Sequence, residues 1–261
     1  MPLSPEHLFL FDTTGYLHLK HALPAADLQR CQTWAEAATC VDLKKLHADC
    51  PDEVKHQLNR PVSRILDADP RFALLLDHPA IQPFLAEFLG VDYRHIDNEL
   101  LHTVPGYAGG GWHRGVDPHP TGHVVDGRFI CPMVKVFYCL TDVHPGGGEF
   151  VVVPGSHKSS FALKVEGAAD FPGQHVFDNV TAGDIILFNE ALIHNGRPNR
   201  STATRKTLVI NFGRESAGVW RGYRPKPATL AQVSPAQRQV LANGDKLWSQ
   251  PNLMAEAMAA R

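Results

Sequence analysis

The spacing of apolar positions changes twice along this chain. In LPAADLQRCQTWAEAAT, residues 23–39, Leu28, Cys31 and Ala35 recur at intervals of three and four, which places them on one face of a helix. Pro24 opens that run and Asp27 sits in its early turns, both favourable at a helix start. A second helical run, RFALLLDHPAIQPFLAEFLG, is interrupted near His78 and Pro79 and closed by Gly90. Proline lacks the amide donor that a continuing helix needs, and glycine tolerates the left-handed turn of a C-cap. A third run, SPAQRQVLANGDKLW, has Ser234 as N-cap and Pro235 at the first helical position.

Between about 94 and 213 the pattern becomes short β-rich runs: HIDNELLHTV, FICPMVKVFYCL, EFVVVPG, HVFDNV, DIILFN and RKTLVINFG. Gly, Pro and Asp turns separate them. The pattern predicts a mainly β protein with flanking helices, best arranged as a jelly roll or double-stranded β-helix of the cupin-like kind. A single domain over 1–261 is expected, with a helical N-terminal frame over about 1–93, a β core over about 94–213 and a helical or lid segment over about 214–261. VWRGYRP and Trp248 in that last segment are candidates for a lid.

Composition narrows the function classes. A formal net charge of −2 over 261 residues gives no basic field for a nucleic-acid polymer and no polybasic anchor for a membrane. The N-terminus lacks the basic and apolar regions of a leader, no long uncharged apolar run follows, and a cytoplasmic protein acting on a small molecule is expected. Five cysteines without a CxxC pair argue against a disulfide framework or a thiolate zinc site. The unusual number is 15 histidines, a residue that binds metals as neutral imidazole.

Four features carry candidate chemistry, all in the β-rich half: WHRGVD with His113, GGGEFVVVPGSHK, AGDIILFNEALIHNG with His194, and RKT with Arg205. Their order, with FDTTGYLHLKHAL ahead of them and RKTLVINF at the end, resembles the phytanoyl-CoA dioxygenase-like family of Fe(II) and 2-oxoglutarate-dependent enzymes. The resemblance implies a double-stranded β-helix in which His113 and His194 bind iron. In the family, an arginine eleven residues after the second histidine holds 2-oxoglutarate, and Arg205 stands eleven residues after His194. The chemistry suits those roles. Imidazoles suit Fe(II), and two histidines with one carboxylate leave positions open for 2-oxoglutarate and O2. An arginine fork matches a carboxylate better than lysine does. Thr207 shares a strand face with Arg205 and is a candidate for a further hydroxyl contact. Pro154, Gly155 and Ser156 read as turn residues, and His157 as structural or a neighbour of the substrate.

The family's hydroxylating members carry His-x-Asp or His-x-Glu, because residues two apart on a strand face one way. This chain has His113, Arg114 and Gly115. Relatives with glycine or alanine there are halogenases that place chloride on the iron. The resemblance therefore implies a halogenase with chloride beside Gly115 and Arg114, and an aspartate introduced at 115 is expected to restore the triad. The alternative is a hydroxylase in which Asp117, four residues after His113, completes the site; in an extended strand it would lie roughly 7 Å further along. Glu149 is another nearby carboxylate.

Arg114, His119, His123, Arg128, Lys135 and Arg197 lie on segments bordering the expected mouth, and such donors suit an anionic small substrate such as a nucleotide. Two other readings are a non-catalytic jelly-roll binding protein and a zinc hydrolase using the same histidines with Asp117. The spacing of Arg205 has no role in the zinc scheme.

Overall fold

The computed structural model describes residues 3–48, 62–116, 123–125, 128–159, 170–220 and 223–241. Helix α1, Pro5–Thr14, is an element that apolar spacing did not reveal, since only Phe11 of it is buried. It is fixed at its ends instead. Ser4 and His7 form a reciprocal cap, and Gly15 closes the helix at φ 86°, a conformation that favours glycine. Strand β1, Tyr16–Leu19, follows, then α2, Ala25–Ala38, inside the predicted helix. The interrupted run resolves into a 3₁₀ segment, Pro70–Leu75, and α3, Gln82–Leu89, capped by Gly90. Ser234 caps the helical residues 235–241 through the amide of Gln237; the rest of that predicted run, Trp248 included, lies outside the described residues.

The strands are β2, Val62–Ser63; β3, Arg94–Thr103; β4, His123–Val125; β5, Arg128–Ile130; β6, Met133–Cys139; β7, Phe150–Val152; β8, His175–Val176; β9, Ile185–Asn189; β10, His194–Gly196; and β11, Arg205–Gly213. One six-stranded sheet has the order β1-β9-β6-β11-β3-β2, a second has β10-β7-β8, and β4 and β5 form a two-stranded ribbon. All pairings are antiparallel. The N-terminal frame is thus more than helical: β1 and β2 form the two edges of the large sheet. Both are too short for alternation to identify them.

The large sheet is buried on both faces, and the two-residue period of its strands assigns each side chain to one of them. Val134, Val136 and Tyr138 of β6, Ile185 and Leu187 of β9, and Leu208, Ile210 and Phe212 of β11 pack in one core with Phe72, Phe84 and Leu85 from the helical segments. The intervening Phe137, Cys139, Ile186, Phe188 and Val209 pack with Phe150, Val152 and Phe177 of the small sheet. On that inner face the same parity also places Lys135, Arg205, Thr207 and Asn211. This is a double-stranded β-helix with helices outside, as the sequence pattern predicts.

Candidate active site

The two histidines, 81 positions apart in sequence, face one another as a bridge between chain segments. The His113 amide donates to the His194 carbonyl at 3.0 Å, and the His194 amide donates back at 2.9 Å. Their rings lie 4.2 Å apart, centre to centre, at 57°. Each ring has its Nδ1 2.8 Å from a carbonyl, Gly111 for His113 and Leu192 for His194. A carbonyl can only accept, so Nδ1 carries the proton in both rings and Nε2 presents a lone pair. Burial first, then His113 and the Lys135 charge, hold His194 well below the usual histidine pKa. It is therefore a neutral imidazole at physiological pH, the form that binds metals.

The turn before His194 is fixed from several sides. The Ile193 amide donates to Ser156 Oγ at 2.8 Å, and the Val153 amide donates to the Ile193 carbonyl. This explains the PGSH motif. Gly155 adopts φ 77°, Ser156 holds the strand that carries His194, and buried His157 sits 3.1 Å from the Asp12 carbonyl through Nε2. His157 thus ties the turn to α1, in keeping with a structural role.

Arg205 and Thr207 enter at the start of β11, where Arg205 pairs with Thr103 and Thr207 lies between Leu101 and Cys139. Both are buried. Arg205 donates through Nη1 to the Gly148 carbonyl, while its buried Nε has no partner among the described residues. Burial lowers its pKa, but a guanidinium remains charged. A buried cation with an open donor is costly to fold unless an anion joins it, and a dicarboxylate meets that need. Glu149, buried nearby, is occupied: its Oε1 accepts the Gly146 amide at 2.7 Å.

The surroundings of Gly115 differ from the chloride pocket expected there. A Cβ at Gly115 would stand 2.6 Å from Glu190 Cδ, 2.6 Å from Oε2 and 2.7 Å from Oε1. The volume left by the absent side chain is filled by a carboxylate. An anion does not share space with a second anion, so the halide site is lost for both steric and electrostatic reasons. An aspartate at 115 would enter the space that the Glu190 carboxylate now occupies, so Glu190 would have to move aside for it. Glu190 is fully buried. Its Oε1 takes Lys135 Nζ at 2.5 Å and Asn211 Nδ2 at 3.0 Å. Lys135 also lies 5.2 Å from the Trp220 ring. Burial pulls the Lys135 pKa down, but Glu190, Glu99 and Asp97 more than offset it, leaving it raised and the ammonium charged.

Sequence reading passed over Glu190 and listed Lys135 only as a mouth donor. A signal existed: Lys135 interrupts the apolar strand β6 and Glu190 follows directly on the apolar strand β9, places where a charge needs a buried partner. Three of the six donors read as an anion site have partners within the protein. Arg197 pairs with Asp170, Lys135 with Glu190, and Arg114 lies 3.5 Å from the Ser156 carbonyl. Asp117 and His119 lie outside the described residues, as do the side chains of His123 and Arg128. Among the described residues no group of three or more His, Cys, Asp or Glu is assembled as a metal site. No helix among them is long and apolar enough to cross a membrane.

The fold is a double-stranded β-helix with two imidazoles paired at its mouth. The phytanoyl-CoA dioxygenase (PhyH) family model matches residues 11–207, and the chain belongs to that family of Fe(II) and 2-oxoglutarate-dependent oxidoreductases. It is 24% identical over 260 residues to an ectoine dioxygenase of Sphingopyxis alaskensis, covering 88% of this chain and 83% of that one. It is also 24% identical to dioxygenase lolE1 of Epichloe uncinata, covering 80% of this chain and 82% of that one. HygX of Streptomyces hygroscopicus, solved with nickel, 2-oxoglutarate and hygromycin B bound, superposes with a TM-score of 0.68 at 26% identity, over 84% of this chain and 90% of that chain. The relatives named as dioxygenases, with the 2-oxoglutarate bound in HygX, point to a 2-oxoglutarate oxygenase rather than a halogenase and overturn the halogenase expectation; its chloride finds no support in them.

Proposed function

We propose that this protein is an Fe(II) and 2-oxoglutarate-dependent dioxygenase that hydroxylates a C–H bond of a small polar molecule. His113 and His194 hold the iron through Nε2, and Arg205 with Thr207 holds the far carboxylate of 2-oxoglutarate. The observation that carries this reading is the matched pair of imidazoles with Nδ1 bonded to carbonyls and Nε2 left as acceptor. It is supported by the unpaired Nε of buried Arg205 on the inner face of the same barrel. The relatives named as dioxygenases, and the nickel and 2-oxoglutarate in HygX, agree with it.

Bound iron and 2-oxoglutarate supply O2 activation coupled to oxidative decarboxylation, giving succinate and carbon dioxide. The chain's own part is placement. Its two imidazoles are pre-oriented by the Gly111 and Leu192 carbonyls, the Arg205 guanidinium fixes the cosubstrate by one end, and the Phe150 and Phe188 rings, 5.7 and 5.0 Å from His194, exclude water from its inner side.

An anaerobic titration of the metal-free protein with Fe(II) and 2-oxoglutarate tests this. A metal-to-ligand charge-transfer band that forms with both components, ignores chloride and is lost in His194→Ala is expected, with slow succinate release once O2 is admitted. Absence of both the band and succinate would refute the reading.

A further inference from the structure

At the inner face of the large sheet stands a buried ion pair, Lys135 and Glu190, that the proposed function leaves without a role. Glu190 follows β9, is fully buried, and has one oxygen with two donors and one with none: Oε1 takes Lys135 and Asn211, while Oε2 has no partner among the described residues. An asymmetric carboxylate of this kind is the usual state of a monodentate metal ligand, whose second oxygen is held by hydrogen bonds. Its position suggests the same role. Cδ and both oxygens of Glu190 lie 2.6–2.7 Å from the point where a side chain at 115 would begin, so the group fills the space that an aspartate two residues after His113 would enter.

The backbone makes this placement rigid. The Gly115 amide donates to the Glu190 carbonyl at 2.9 Å and the Val116 amide follows at 3.3 Å. On the other side the Glu190 amide donates to the Met133 carbonyl at 3.0 Å, and the Ala191 amide donates to Asn189 Oδ1 at 2.9 Å. His194 comes four residues after Glu190, at the end of the same tight turn. Lys135, also on the inner face, lies near enough to His194 to lower its pKa.

We infer that Glu190, which this structure does not gather with His113 and His194 into a metal site, turns its carboxylate onto the iron when the metal binds and becomes the third protein ligand, supplying from the β9–β10 turn the carboxylate that Gly115 lacks. This rests on the reading of His113 and His194 as iron ligands. Glycine at 115 then leaves room for the ligand, because a Cβ there would press on the Glu190 carboxylate. Lys135 and Asn211 orient the carboxylate through Oε1 and leave Oε2 for the metal. Lys135 also balances its charge while no metal is bound, which a buried carboxylate requires. The reading assigns Asp117 no place on the iron.

The test measures Fe(II) affinity anaerobically by calorimetry on the parental protein, Glu190→Gln, Asp117→Asn and Lys135→Met. Circular dichroism checks that each is folded. Glu190→Gln keeps the shape and the contact with Asn211 but removes the anion. A loss of at least about tenfold in metal affinity, with Asp117→Asn at the parental value and Lys135→Met less affected than Glu190→Gln, is the expected result. Parental affinity in Glu190→Gln overturns the inference, most directly if Asp117→Asn is the variant that loses iron. Failure of the parental protein to bind iron would instead refute the proposed function. Should Glu190→Gln not fold, the parental protein crystallised with Co(II) decides. Glu190 Oε2 about 2.1 Å from the metal supports the assignment, and a metal bound by another carboxylate in its place overturns it.

Discussion

The two faces of the large sheet are built from the same strands and are both buried, yet their chemistry differs. Facing the helices, Val134, Val136, Tyr138, Ile185, Leu187, Leu208, Ile210 and Phe212 form a nearly continuous apolar surface. Facing the small sheet, one residue along each strand, Phe137, Ile186, Phe188 and Val209 share their face with Lys135, Asn211, Arg205 and Thr207. Burial alone would favour apolar residues on both sides, since a buried polar group without a partner destabilises the fold by about 1–3 kcal/mol. The orphaned atoms on the inner face, Glu190 Oε2, Asn211 Oδ1 and Arg205 Nε, therefore mark where ligands are expected. The outer face holds the sheet together, and the inner face trades stability for chemistry.

A substitution on each face separates these roles. Leu187→Ala, on the outer face, is expected to lower unfolding free energy by about 2–5 kcal/mol through lost contacts and the cavity left behind. The folded fraction should keep its affinity for 2-oxoglutarate. Denaturant unfolding beside a 2-oxoglutarate titration checks both, and a large change in affinity would mean that the faces are not independent. Arg205→Lys, on the inner face, is expected to show the opposite pattern. Thermal stability should change little, while the KM for 2-oxoglutarate rises on the order of 10- to 100-fold, the equivalent of one charge-assisted hydrogen bond. Unchanged KM would remove Arg205 from the cosubstrate site.

A smaller effect comes from two histidines away from the proposed iron site. Burial pushes His95 down to about 3 and His157 down to about 4, both below their unfolded value of 6.5. The unfolded chain then binds more protons than the native one between those limits, so their contribution is complete above about pH 6.5 and falls as pH drops towards 3. The melting temperature of the metal-free protein should decline by several degrees from pH 7.5 to pH 5. A constant value would show that these imidazoles are not held neutral by the fold.

Much of the architecture was legible because it is written in local periodicity. The helical spacing at Leu28, Cys31 and Ala35 gave α2, the break at His78 and Pro79 gave the two helical pieces around it, and the β-rich runs gave seven of the strands. Helix α1 escaped because its caps, rather than an apolar stripe, define it, and β1, β2, β4 and β10, none longer than four residues, escaped because no apolar β-rich run marks them. At the site, order and spacing singled out His113, His194, Arg205 and Thr207, and the structure sets the two histidines face to face. The halogenase expectation failed for a specific reason: a glycine two residues after His113 says what its own side chain does not provide, and nothing about what a distant strand does.

By itself, then, the amino-acid sequence determined the alternation that buries both faces of each strand, the helices that cover one of them, and the order of the residues with metal and carboxylate chemistry. Those are properties of neighbours along the chain, where a period of two or 3.6 residues fixes direction. Only the tertiary structure decided what stands beside Gly115. Glu190 reaches that point through the pairing of β9 with β6 and the amide bonds of Gly115 and Val116 to its carbonyl. It lies 75 positions further along the chain, and no local pattern carries information about a contact made across a barrel by sheet registry.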